Sequence, residues 1–233
     1  MLGYGSEGSI RDCRLGHTSD SSSGWCTWMV PTVDVWGGPW LVDKCVVKSV
    51  GGSALLAMRC ANVNVTCSRV GGESASATAA DCVVAAEDAS VTVGQSDMCF
   101  AARAADVAAD AQMGAGSGVA VMGRAVCVVT VSHVHDCARG VFVDDSSTVR
   151  LDQVAFSLLA SRPLAAGATA GEARLTVTNC VGHELNAGHG GKQGGMGAEA
   201  KAASVDLEGV GWMDGRRPGF SEGHDNVFSL ASA

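Results

Sequence analysis

The sequence predicts an all-β solenoid, a parallel β-helix of roughly eight to nine coils, and three observations predict it. A short template recurs: apolar, any residue, apolar, two polar or small residues, then an apolar or small residue. Within each copy the apolar residues alternate as in a half-buried strand, and the runs are too short for helices. The chain also holds 31 glycines against 4 prolines, a balance that suits tight corners rather than extended linkers.

The copies read, in order, GSIRDC at 8–13, WLVDKC at 40–45, VNVTCS at 63–68 and VTVGQS at 91–96. They continue as VTVSHV at 129–134, VRLDQV at 149–154, LTVTNC at 175–180 and VDLEGV at 205–210, with a degenerate copy around Val107 to Met113. Successive copies stand roughly 20 to 30 residues apart, the period of a solenoid coil. Upstream of the template lies a second short apolar run, as in Ala54–Leu56, Val83–Val84, Val119–Val121 and Val141–Val143. Glycines such as Gly51, Gly52, Gly118 and Gly140 precede these runs, where a sharp corner needs a permissive backbone. Several short strands per turn, each packing on the turn before and after, give a columnar core with nearest-neighbour stability. The helix is expected over residues 1–215, with 216–233 as a C-terminal cap or loose tail.

Aligning the copies assigns the tempting polar residues to corners. The second residue after the apolar pair reads Asp12, Lys44, Cys67, Gln95, His133, Gln153, Asn179 and Gly209, a polar column stacked along the axis. His133 is thereby expected in that column rather than as a metal ligand, although His135, Asp136 and Cys137 follow it closely. Counting from each template, Asp145 falls where other units have Arg59 and Glu87, and Asp144 where they have Met58 and Ala86. The acid pair then turns a corner. No metal centre and no cofactor are expected.

Composition narrows the function classes. With 233 residues the chain makes one sizeable domain. A net charge of −8 with no basic run argues against nucleic-acid binding and against an electrostatic membrane anchor. No apolar stretch approaches the roughly 20 residues of a spanning helix, and the N-terminus lacks the order of a signal peptide. The ten cysteines show no C-x-x-C spacing and mostly sit in or beside apolar strand-like runs. They are expected as reduced core thiols in an intracellular, reducing compartment.

The repeat over residues 8–212 resembles the right-handed parallel β-helix of pectate lyases, polygalacturonases and other carbohydrate-active proteins. It also resembles the noncatalytic β-helix repeats attached to F-box domains, most clearly in GPWLVDKCVVKSVGGSALLAMRCANVNVTCSRVGG at 38–72. The first resemblance implies a right-handed coil with Asp144 and Asp145 as acid and base, His189 of Gly188-His189-Gly190 tuning them, and Arg216 or Arg217 holding a uronate carboxylate. The departures are large. No Asn-Thr-Asp precedes the aspartates, no Arg-x-Lys follows the Gly-His-Gly, and no stack of acids suggests a calcium cluster. The second resemblance implies a noncatalytic scaffold that presents a rigid face to a protein partner, and this is the expected function. A polysaccharide-active enzyme or carbohydrate-binding module is the alternative. Trp25, Trp28, Trp36 and Trp40 crowd the first coils and suit three roles: capping the first coil, binding a protein, or stacking on a sugar.

Overall fold

The computed structural model describes residues 6–18, 30–101, 116–159, 164–166, 173–183, 204–208, 211–212, 218–220 and 228–230. The chain opens with β1 (Gly8–Arg11) and β2 (Arg14–Thr18), then β3 (Val33–Asp43), β4 (Val46–Val50), β5 (Leu55–Thr66) and β6 (Arg69–Gly71). Two turns of three strands follow: β7 (Val83–Ala85), β8 (Ser90–Gly94), β9 (Asp97–Cys99), then β10 (Ser117–Val121), β11 (Val126–Thr130), β12 (His133–His135). Next come β13 (Arg139–Val143), β14 (Thr148–Asp152), β15 (Ala155–Ser157), β16 (Leu164–Ala166), β17 (Arg174–Thr178) and β18 (Val181–His183). Last are β19 (Ser204–Glu208), β20 (Gly211–Trp212), β21 (Pro218–Phe220) and β22 (Phe228–Leu230). Among the described residues there is no helix, and so none long and apolar enough to cross a membrane.

From β7 to β15 each strand pairs in parallel with the strand three positions later, so the chain visits three ladders in turn. One ladder runs β7-β10-β13-β16 and a second β8-β11-β14-β17-β19. The third is a separate eight-stranded sheet, β2-β4-β6-β9-β12-β15-β18-β20. The long strands β3 and β5 join the first two ladders into one twelve-stranded sheet, because β5 pairs with β7 through its first half and with β8 through its second. Where later turns break into two strands, β3 and β5 merely bend. A register shift between Trp36 and Gly38 marks that bend, and Gly37 and Gly38 take positive φ there. The result is an all-β, parallel, solenoid-like winding. The stretch beyond residue 215 contributes β21 and β22, which pair with each other antiparallel and with neither large sheet.

Inside the winding, equivalent residues stack turn upon turn. Val63, Val91, Cys127, Val149 and Leu175 share one register column, and Val65, Val93, Val129, Leu151 and Val177 another. All ten are buried. Small aliphatic side chains suffice because each packs on its copies above and below. The nine described cysteines are free thiols, six of them buried.

Single residues close the corners. After β8, β11, β14 and β17 the chain turns at Gln95, Val131, Gln153 and Asn179, and the same column holds Asp12, Lys44 and Cys67, all at positive φ. The corner after β7 and β13 turns at Glu87 and Asp145, and in β5 at Arg59, all again left-handed. The corner after β9, β12 and β15 uses Phe100, Asp136 and Leu158. The sequence reading of Arg59, Glu87 and Asp145 as one slot matches this conformation. Its reading of the fifth copy does not. Val131, not His133, occupies the corner, because β11 pairs Val129 with Val93 and Thr130 with Gly94. The alternation Cys127, Val129, Val131 looks like one continuing strand, but the corner interrupts it at Val131.

That correction also relocates the polar ladder. It lies one residue after the corner, at inward positions: the Cys45 N–H donates to Ser68 Oγ at 3.0 Å, Ser68 N–H to Ser96 Oγ at 3.1 Å, and Ser96 N–H to Ser132 Oγ at 3.2 Å. Each serine hydroxyl donates in turn to the carbonyl two residues earlier, in Thr66, Gly94 and Thr130. Cys180 repeats the device with sulfur, accepting from Val154 N–H and donating to Thr178 O. Backbone groups released by the corner are thus paired rather than left dry.

Candidate functional site

The eight-stranded ladder carries a titratable cluster on its outer face. Register sets Asp97 of β9 beside His133 of β12, Met98 beside Val134, and Cys99 beside His135. Met98, Val134 and Phe156 point into the core, so the alternation of a strand turns Asp97, His133, His135 and Ser157 outward. On the preceding turn Arg69 aligns with Asp97, and on the following turn Ser157 aligns with His135.

The contacts are short and divided by atom. His135 Nε2 lies 2.9 Å from Asp97 Oδ1, and His133 Nδ1 lies 3.8 Å from the same oxygen. Arg69 Nε approaches the other oxygen, Oδ2, at 3.7 Å. His135 Nδ1 meets Asp136 Oδ2 at 2.6 Å, and His133 Nε2 meets Ser157 Oγ at 2.7 Å. The two imidazoles stack with centroids 4.5 Å apart. Phe100 packs its ring against the edge of His135 at 6.0 Å, and the Arg69 guanidinium covers Phe100 at 5.5 Å while its Nε donates to Cys99 Sγ at 3.1 Å.

Electrostatics follow this geometry. The hydrogen bond that His135 donates to Asp97, with further contributions from Cys99 and Asp136, outweighs burial and pushes the His135 imidazole up to about 11. Burial would raise Asp97, yet the His135 bond and the charges of His135, His133 and Arg69 hold its carboxyl below the ordinary value. The Cys99 contact and the nearby carboxylates raise Arg69 further. Without another ligand, His135 is therefore an imidazolium bridging two carboxylates.

Beside the cluster runs a groove of about 740 Å³, lined among others by Lys44, Arg69, Gln95, Asp97, His133 and Gln153. Val131 lines it too and is 51% exposed at a φ of 48°. A β-branched residue in that region is a true outlier, placed where most neighbouring turns hold a polar residue.

The residues singled out from sequence are scattered. Asp145 Oδ2 accepts from the Gly123 N–H at 2.9 Å, and Asp144 is buried with Oδ1 accepting from the Asp145 N–H at 2.9 Å. Both carboxylates brace the corner that they turn. Trp36 lies on the outer side of β3, with Nε1 donating to Asp34 and the Arg59 guanidinium over its ring at 4.8 Å. Trp40 faces the other way. It packs against the core under Gly8, where an added Cβ would come within 2.5 Å of the ring, and its Nε1 donates to Ser6 O. These two rings thus form no flat row, and Trp40 stands in register between Gly8 and Val63. Trp25, Trp28, His189, Arg216 and Arg217 lie outside the described residues.

Sequence reasoning missed Asp97 and Arg69 as members of a site, and with them the roles of His135 and Ser157. Comparison of the chain with protein-family models, curated proteins and solved structures finds no match.

Proposed function

We propose that the chain is a noncatalytic right-handed parallel β-helix of about eight coils, one per strand of the eight-stranded ladder, and that it presents its corner groove to a protein partner. One observation carries this reading: five consecutive turns contribute Lys44, Cys67 and Arg69, Gln95 and Asp97, Val131 and His133, and Gln153 to one groove. Their spacing is fixed by backbone ladders that keep register from turn to turn. A rigid array loses little conformational entropy on binding, and an exposed valine held in a costly conformation suits an apolar anchor among polar groups. Nine free thiols among the described residues, two of them exposed, support a reducing compartment.

Affinity capture with three forms of the full chain tests the reading: the unaltered protein, Gln153→Lys in the groove, and Thr92→Lys on a different outer face. Retained proteins should be shared by the first and third and lost, by tenfold or more, from the second. An identical set on all three overturns it. So does turnover of polygalacturonate that disappears in the Asp144→Ala, Asp145→Ala double variant.

A further inference from the structure

The geometry points to a divalent transition-metal site on the outer face of the eight-stranded ladder, with Asp97 Oδ1, His133 Nδ1 and His135 Nε2 as its three protein ligands. It does not rest on the scaffold reading, since only this chain and an ion are involved.

The ligand atoms gather within 4.8 Å of one another. The separations from Asp97 Oδ1, 2.9 Å to His135 Nε2 and 3.8 Å to His133 Nδ1, bracket the roughly 3 Å between neighbouring donors that bonds of about 2.0–2.2 Å to a common ion require. Two imidazoles and one carboxylate form a donor set for Zn²⁺ and its neighbours in the first transition row, rather than for calcium or magnesium, which take oxygen.

Both distal imidazole nitrogens are engaged as metal-binding histidines require. His135 Nδ1–H donates to Asp136 Oδ2, the carboxylate–histidine pairing that orients a metal ligand, and His133 Nε2 lies 2.7 Å from Ser157 Oγ, to which it donates in the tautomer that leaves Nδ1 bare for an ion. Those bonds leave Nε2 of His135 and Nδ1 of His133 as the nitrogens turned toward Asp97. Arg69 stays on Oδ2 of Asp97 and leaves Oδ1 to the ion. Coordination replaces the proton on His135 Nε2, which passes to solvent, while the Nδ1 proton stays in its bond to Asp136. The side chains of His133 and Asp97 are 44% and 36% exposed, so an ion can enter from solvent and keep water in its remaining positions.

The test titrates Zn²⁺ into the full chain carrying Cys60→Ser and Cys67→Ser, which removes the two exposed thiols among the described residues. One site per chain is expected. Asp97→Ala or His133→Ala should abolish it, and Ser157→Ala or Asp136→Asn should weaken it by about 10- to 100-fold. Unchanged affinity in Asp97→Ala, with circular dichroism like that of the parent, overturns the proposal. Two readouts on the parent chain need no ligand variant. Saturating Zn²⁺ should raise its Tm, and Co²⁺ should give a d–d spectrum without a thiolate charge-transfer band. No Tm shift, or a thiolate band, overturns it equally.

Discussion

Ser147 stands among four alanines in its column. The register of the following strands aligns it with Ala61, Ala89, Ala125 and Ala173, all buried. Ser147 is itself fully buried, and its Oγ has no hydrogen-bond partner. A dry hydroxyl without a partner costs more than it contributes. Ser147→Ala should therefore raise stability by about 1 kcal/mol, read as a higher midpoint in urea at unchanged slope. The same stretch holds Asp144 and Asp145, whose adjacency invited a catalytic reading. Their side chains instead pair with backbone N–H groups of the corner and of the turn before. This was legible in the sequence because Arg59, Glu87 and Asp145 recur at one distance from the template, and all three are left-handed in the structure.

Among the elements, the serine–cysteine ladder bears most directly on register. Ser96 accepts from the Ser68 N–H and donates to Gly94 O, so Ser96→Ala leaves a buried donor without an acceptor and should cost about 1–3 kcal/mol. Ser96→Cys should recover much of that loss, since Cys180 accepts from Val154 N–H in the same way. Thermal unfolding of both variants beside the parent checks the pair. The ladder also explains where sequence reading failed. Strand alternation is preserved along β11 but slips at Val131, where one extra residue faces outward before Ser132 turns in. Apolar periodicity does not see that slip, because valine satisfies an inward pattern even when it stands exposed. Anchoring the copies on Cys45, Ser68, Ser96 and Ser132 would have set His133 against Asp97. Arg69, Asp97 and His133 meet only through pairing across turns, and His135 joins them by standing two residues along the same strand.

For the whole molecule, the thiol-rich core makes stability sensitive to alkali. Burial pushes Cys127 up to about 12 from the ordinary 9.0, and burial raises Cys82 and Cys180 as well. The folded state holds these protons more tightly than the unfolded chain. Their contribution is full below pH 9.0 and is lost as pH rises through the window toward about 12. Cys127→Val, which matches Val91 and Val149 in its column, should flatten that decline in urea midpoints measured across the window and leave neutral-pH stability nearly unchanged.

Corners closed by single residues also mean that the chain can change length only in quanta. Removing one residue from β11 would turn its interior outward and should abolish cooperative unfolding. Excising 131–152 is different: it joins Thr130 to Gln153, just as Asp152 joins it now, and Thr130 and Asp152 already share a register position. The cut would seat β17 on β11, with Leu175 over Cys127, and β15 on β9, with Ala155 over Asp97. The shortened chain should keep its strand spectrum and a cooperative, lower-temperature transition, while His133 and His135 depart together. Circular dichroism and a Zn²⁺ titration on that single deletion would show the interior behaving as a cassette rack, indifferent to which chemistry each slot carries on its outside.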